Sequence, residues 1–197
     1  MIFQTERCDV RPLQASDIGP AYVSWLNDPE VTRFLVGSGK MRATEESVRA
    51  YFRRFEENPE TDFIFAIIDR TTGLHIGNVT LNHVHPVHRM ADTGIMIGEK
   101  AFWRKGYAFE AWRPLLEFAF GELRLHKLVA TSVVENVPSV GTLKKLGFKE
   151  EGLFRQEQFV LGRWHDVVRL GLLREEFAPT RLAQQVLERQ HLAGSRR

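Results

Sequence analysis

Cysteine is nearly missing from this chain. Cys8 is the only one in 197 residues, so no intrachain disulfide can form and a reducing, cytoplasmic setting is the expectation. No apolar run comes near the ~18 residues that a membrane span needs. The start, "MIFQTERCDVRP", lacks the apolar centre of a secretory signal. Formal charge is almost balanced at +2, which gives no overall case for nucleic acid. No Walker or Rossmann glycine pattern occurs, which disfavours a plain nucleotide-binding protein. Metal-ligand spacing is lacking as well. His83, His85 and His88 stand close together in "NHVHPVH", but no second ligand cluster completes a site. Internal repeats and low-complexity linkers are also missing.

What is present is a globular composition. Hydrophobic residues make up 43%, enough to bury a core in one domain without metal or disulfide support. Residues 1–177 are expected to form that domain. The extension, residues 178–197, has an apolar stripe of Leu182, Val186 and Leu187. An unpartnered stripe of this kind points to self-association as a homodimer, or to a cover over the acceptor side.

Periodicity supplies the element order. "CDVRPLQ" alternates as a short strand. A helix follows with Ser16 as N-cap and Ile18, Ala21, Tyr22 and Trp25 on one face. Asp28 with Pro29 at N1 starts another short helix. Thr44 caps a stronger one carrying Val48, Tyr51, Phe52 and Phe55. Three strands come next, "TDFIFAIID", "LHIGNVTLNHV" and "MADTGIMIG". A helix over about 106–120 buries Ala108, Ala111, Trp112, Leu115 and Ala119, with a kink expected at Pro114. Then come the strand "HKLVATSVV", a helix capped by Asn136 and stopped by Gly147, and two last strands. The order predicts an α/β (α+β) fold, a mixed sheet with helices on both faces.

The stretch "AFWRKGYAFEA" puts two cations and a glycine where a strand hands over to a helix. A solvated basic loop has this composition. So does an anion site, because a helix N-terminus offers unpaired N–H groups and partial positive charge. Gly106 would let the backbone approach the ligand.

Read together, "ADTGIMIGEKAFWRKGYAFEA", "ENVPSVGTLKKLGFKEEG" and "GRWHDVVRLGLL" resemble the GCN5-related N-acetyltransferase (GNAT) superfamily over about residues 8–173. The branch most similar is the RimJ/RimL type, which acts on ribosomal-protein N-termini. The resemblance implies a mostly antiparallel GNAT-like sheet and acetyl-CoA as co-substrate. It implies a pyrophosphate loop at Trp103, Arg104, Lys105, Gly106, Tyr107 and Ala108. It implies pantetheine pairing along Met96, Ile97 and Gly98, with further coenzyme contacts at Asn136 and Lys145.

Aminolysis of a thioester needs a neutral amine, a donor for the oxyanion and a proton for the departing thiolate. Holding the two reactants together supplies much of the acceleration. The resemblance puts Asp92 at the place of a glutamate base, where a solvated strand carboxylate is the alternative. His83 and His85 are second choices, since histidine is the side-chain type suited to acid–base work near neutral pH. Many relatives use a tyrosine acid where this chain has Leu143. Ser139 matches a serine near the coenzyme sulfur, although a first-turn serine is also an ordinary local cap. Glu110 and Tyr107 read as structural.

The acceptor amine is expected between the early helices and the late strands. Asp28, Glu30 and Asp166 there could steer a cationic amine. The RimJ/RimL likeness favours a protein N-terminus. A polyamine, an amino sugar and an aminoglycoside stay open, as does a non-catalytic acyl-CoA-binding module.

Overall fold

A computed structural model describes residues 2–35, 42–160 and 162–177. The stripe of Leu182, Val186 and Leu187, and with it the self-association expectation, lies outside the described residues. The strands are β1 (Phe3–Gln4), β2 (Cys8–Pro12), β3 (Phe63–Asp69), β4 (His75–His85), β5 (Met90–Ile97), β6 (Lys127–Val133), β7 (Lys149–Val160) and β8 (Arg163–Leu173). The helices are α1 (Pro20–Asn27), α2 (Pro29–Thr32), α3 (Glu45–Glu57), α4 (Tyr107–Gly121) and α5 (Val137–Lys145). One sheet holds all the strands in the order β1-β2-β3-β4-β5-β6-β8-β7. Only β5 and β6 run parallel; the other neighbours are antiparallel. The mixed, mostly antiparallel sheet is as expected. β1, two residues long, escapes sequence patterning.

Helices cover both faces. Trp112, Leu115, Leu116 and Ala119 of α4, with Leu143 of α5, are buried against one face. Tyr22 and Trp25 of α1, with Val48 and Phe55 of α3, are buried against the other. A fully buried leucine or phenylalanine contributes about 1.5–3 kcal/mol, so these two layers carry the fold. Among the described residues no helix is long and apolar enough to cross a membrane.

Three local expectations change. Ser16 is not a helix cap: it lies in a 3-10 turn, Ala15–Asp17, and α1 begins only at Pro20, after Gly19. Proline at N1 has its φ preset for helix, which draws the boundary to itself. Ala21, placed on the buried stripe of that helix, is exposed. Asn136 holds the N-cap position of α5, but its side chain makes no capping bond. Other caps are as expected: Asp28 accepts from Glu30 N (2.8 Å) and Thr44 from Ser47 N (3.2 Å). α4 runs unbroken through Pro114, because its packed face outweighs one missing backbone bond.

Candidate active site

The parallel pairing of β5 and β6 is short. It ends at Asp92 opposite Val129. Beyond that point β5 stays with β4 to Ile97, and β6 stays with β8 to Val133. The two strands therefore splay, and their facing edges have no partner in each other. A cavity of about 1080 Å³ opens at the splay. Thr93 to Met96 of β5 and Ala130 to Ser132 of β6 line it, with Trp112 and Leu143 among its apolar residues. The same cavity reaches Asp92, His83, Asn136 and Ser139.

The loop before α4 has the conformation of an anion cradle. Arg104 and Gly106 are both left-handed, at φ 59° and 85°, with Lys105 between them. The first backbone bond of the helix runs from Glu110 N to Gly106 O (3.1 Å). Among the described residues, the N–H groups of Arg104 to Phe109 reach no backbone carbonyl. Successive N–H groups in such turns form a concave nest for anions, here at the positive end of a 15-residue helix. Arg104, a non-glycine residue in the left-handed region, carries strain of the kind functional loops hold.

The loop is braced from behind. Arg7 donates to Lys105 O (2.8 Å), pairs with Glu110 (2.6 Å) and lies over the Tyr107 ring (4.5 Å). Tyr107 Oη donates to Asp69 Oδ1 (2.8 Å). Glu110 also accepts from Thr5 Oγ1 (2.7 Å) and from Arg7 N (2.6 Å). Glu110 and the Tyr107 ring are thus structural, as expected, while the Tyr107 N–H stays open. Burial pushes the Glu110 carboxyl up, but the bonds from Thr5 and Arg7 outweigh it and hold the group below its usual range. A depressed carboxylate stabilises the fold above its unfolded pKa and loses that effect as pH falls. Glu110→Gln is expected to cost about 1–2 kcal/mol near pH 7, discounted because Arg7 is partly exposed. In urea titrations the gap between wild type and variant should shrink below about pH 4. A gap that does not change with pH would contradict the brace.

The remaining coenzyme candidates divide. Trp103 donates its indole N–H to Ile97 O (2.7 Å), so that carbonyl is engaged. Gly98 N and Glu99 N both donate to Ile76 O (2.9 and 3.1 Å). Gly98 has a packing role: a β-carbon there would overlap the Trp25 ring. Met96 faces the cavity, and Ala108 sits half-buried in the first turn of α4. Lys145 is exposed at the far end of α5 and does not line the cavity.

Asn136 and Ser139 come together at the cavity end of α5. Ser139 N donates to Asn136 O (3.0 Å). The hydroxyl that back-bonds inside the helix belongs to Thr142, to Pro138 O (2.8 Å). Ser139 Oγ bonds no described residue, so it is not spent as a local cap. Leu143 is 1% exposed and offers no acid.

Asp92 and His83, separate suggestions in the sequence, are in contact: Nδ1 lies 3.1 Å from Asp92 Oδ2. A register shift after Asn82 and a left-handed His83 (φ 54°) turn the ring toward β5. His83 N is held in turn by Asp62 Oδ1 (3.3 Å). His85 does not line the cavity and stacks on His88 at 4.2 Å. Among the described residues no group of three His, Cys, Asp or Glu side chains could hold a metal ion.

The acidic steering residues turn out differently. Asp28 and Glu30 both pair with Lys100 at 2.7 Å, and Asp166 accepts from Gln156 N (2.8 Å) at a bulge in β7. Each of the three already has a partner, with Asp28 and Glu30 sharing one cation. Asp92 is the one acid among the described residues lining the cavity, while Arg42 and Arg54 also line it.

Comparison with known proteins follows the same outline. Residues 7–149 match the acetyltransferase (GNAT) domain family. An uncharacterised N-acetyltransferase, p20, of Bacillus licheniformis is 30% identical over 88% of this chain and 97% of its own length. Spermidine N-acetyltransferase of Vibrio cholerae, solved with CoA and spermine, shares the fold at TM-score 0.77 and 24% identity, over 86% of this chain and 96% of that one. Ribosomal-protein-S5-alanine acetyltransferase of Vibrio fischeri does so at 0.76 and 20%, over 91% and 100%.

Proposed function

The chain belongs to the GNAT acetyltransferase family and is an N-acetyltransferase; on that premise we propose that it moves the acetyl group of acetyl-CoA directly to the α-amine of a protein or peptide N-terminus. The carrying observation is the charge of the acceptor side. Polyamines are polycations, and a site for them needs several free carboxylates. Here Asp28 and Glu30 share the single cation Lys100, which leaves that pair only one net negative charge, Asp166 accepts from Gln156 N, and Asp62 is paired with Arg54 (2.6 Å). The charge of Arg42, which lines the same cavity, opposes a second cationic group.

The residues present fit a coenzyme. The nest of Arg104 to Phe109 would hold the pyrophosphate, and the open edge of β5 near Met96 would hold the pantetheine arm. Acetyl-CoA supplies an activated acetyl group as its thioester. Ser139 passes a proton to the sulfur, and regains one from solvent water, as the carbon–sulfur bond breaks and the carbon–nitrogen bond forms. Asp92, paired with His83, takes the proton released by the amine. Asp92 stands four residues before Met96, about 13 Å along the strand, so water carries the proton between them.

The test is a panel of acceptors with acetyl-CoA, read as free thiol. Peptides with a free N-terminus should outrun spermidine and amino sugars. Their rate should rise with pH through an apparent pKa of the amine or the base. Turnover of spermidine alone, or a profile flat from about pH 6 to about pH 9 with chemistry rate-limiting, would overturn the reading.

A further inference from the structure

β4 turns a polar row toward the cavity: Asn78, Thr80 and Asn82, at alternate positions and so on one face. Two of the three have partners. Asn82 donates from Nδ2 to Thr80 Oγ1 (3.0 Å) and receives Arg54 at Oδ1 (3.4 Å). Thr80 Oγ1 in turn reaches Gly94 O (3.5 Å). Asn78 differs. It is 4% exposed, and its Nδ2 meets no partner among the described residues. Buried amide donors are nearly always paired, so a lone one in a cavity wall calls for an explanation.

Its direction is set by His75. The imidazole Nε2 lies 3.0 Å from Gly77 O and 2.9 Å from Asn78 Oδ1. A carbonyl can only accept, so Nε2 carries the proton, and the amide atom facing it must be the oxygen. The Asn78 NH₂ therefore points away from His75. The ring is held edge-on by Tyr22 and Trp25, with centroids 5.8 and 5.0 Å away. Burial lowers the His75 pKa, which keeps the ring neutral with its single proton on Nε2.

Sheet order gives a ligand its direction of approach. Asn78 pairs with Met96 of β5. It stands one strand, about 4.8 Å, beyond β5 from the β5–β6 opening, on the face covered by α1 and α3. A coenzyme in the opening is separated from Asn78 by β5; an acceptor amine arriving over β5 is not. We propose that Asn78 Nδ2 donates a hydrogen bond to a carbonyl oxygen of the acceptor next to its amine, the first carbonyl of a peptide, and that His75 positions this donor. The proposal rests on the peptide acceptor argued above. It makes Asn78 a specificity determinant for α-aminoacyl groups over simple amines.

The test compares two acceptors: a short peptide, and the same peptide with its first amide replaced by a trans-alkene, which keeps the shape and removes the oxygen. Asn78→Asp keeps the oxygen that His75 needs and removes the donor. It should lower kcat/KM for the peptide roughly 10- to 100-fold, mostly through KM. Coenzyme affinity and the alkene rate should stay unchanged. With wild type the alkene should already be slower by a similar factor. His75→Phe keeps the ring packing and should raise the peptide KM by a smaller factor. Should Asn78→Asp fold poorly, Asn78→Ala removes the donor without a charge, while His75 keeps Gly77 O as its acceptor. Equal losses on both acceptors, or none, would overturn the assignment while leaving the peptide reading intact. Wild type that acetylates spermidine but neither peptide would remove that reading, and this inference with it.

Discussion

Gly106→Glu should abolish measurable acetyl-CoA binding, or weaken it by about 100-fold or more, while the protein stays folded. Three effects act together at this position. The backbone is left-handed at φ 85°, where a side chain costs about 1–2 kcal/mol. The new side chain would start beside Arg7 Nη2, so its carboxylate would compete with Glu110 for the guanidinium that braces the loop. The N–H groups of the loop would lose their alignment, and charge-assisted bonds of this kind are worth about 1.5–3 kcal/mol each. Losing two of them accounts for the factor of 100. Gly106→Ala separates the terms: it adds strain without charge. Its β-carbon meets only Arg7 Nη2, at 3.4 Å, so its loss should be about tenfold or less. Arg104→Ala should cost about 1 kcal/mol or less, because an exposed cation adds little. Calorimetry on these variants reads the ranking directly. Wild-type affinity in Gly106→Glu would remove the loop from the coenzyme site.

Ser139→Ala should lower kcat about 100-fold and leave both coenzyme affinity and melting temperature nearly unchanged. General-acid help is typically worth ~10²–10⁴ in rate. The lower end applies because water can partly replace a hydroxyl. The N-terminus of α5 already favours negative charge developing beside it, and Leu143 supplies no competing acid. Stability should hold because Thr142, not Ser139, makes the back-bond within the helix. A capping serine would behave in the opposite way, losing about 1 kcal/mol of stability with kcat intact. Measuring both quantities on one variant decides between the two roles. An unchanged kcat would exclude Ser139 from proton transfer.

The sequence announces those features that local chemistry decides. Gly106 marks the start of α4 because only glycine sits easily at a left-handed cap, and Thr44 and Asp28 mark starts because their side chains fill orphan donors. The hydrophobic runs of β3 to β6 and the stripe of α4 are equally legible, since burial repeats at strand and helix periods. What is not legible depends on contacts that only the folded chain makes. Asp28 and Glu30 look like free acids until Lys100, some 70 residues on, is folded against them. Asp92 and His83 look like rival bases until the register shift after Asn82 brings them into contact. Asn78 hides inside a strand pattern, where nothing local says that its oxygen is taken by His75 and its nitrogen left open. Arg104 carries no mark of its left-handed backbone, because arginine is not a residue that asks for one. Ser16 misled for the opposite reason: its type suits a cap, but Pro20 fixes the boundary.

The central claim is direct transfer of acetyl from the coenzyme to an α-amine. It is tested most directly by incubating the protein with isotope-labelled acetyl-CoA and a peptide bearing both a free N-terminus and a lysine, then locating the label by tandem mass spectrometry. The account predicts one label per thiol released, on the N-terminal nitrogen. Label on the lysine side chain, or thiol release without label on the peptide, would contradict it.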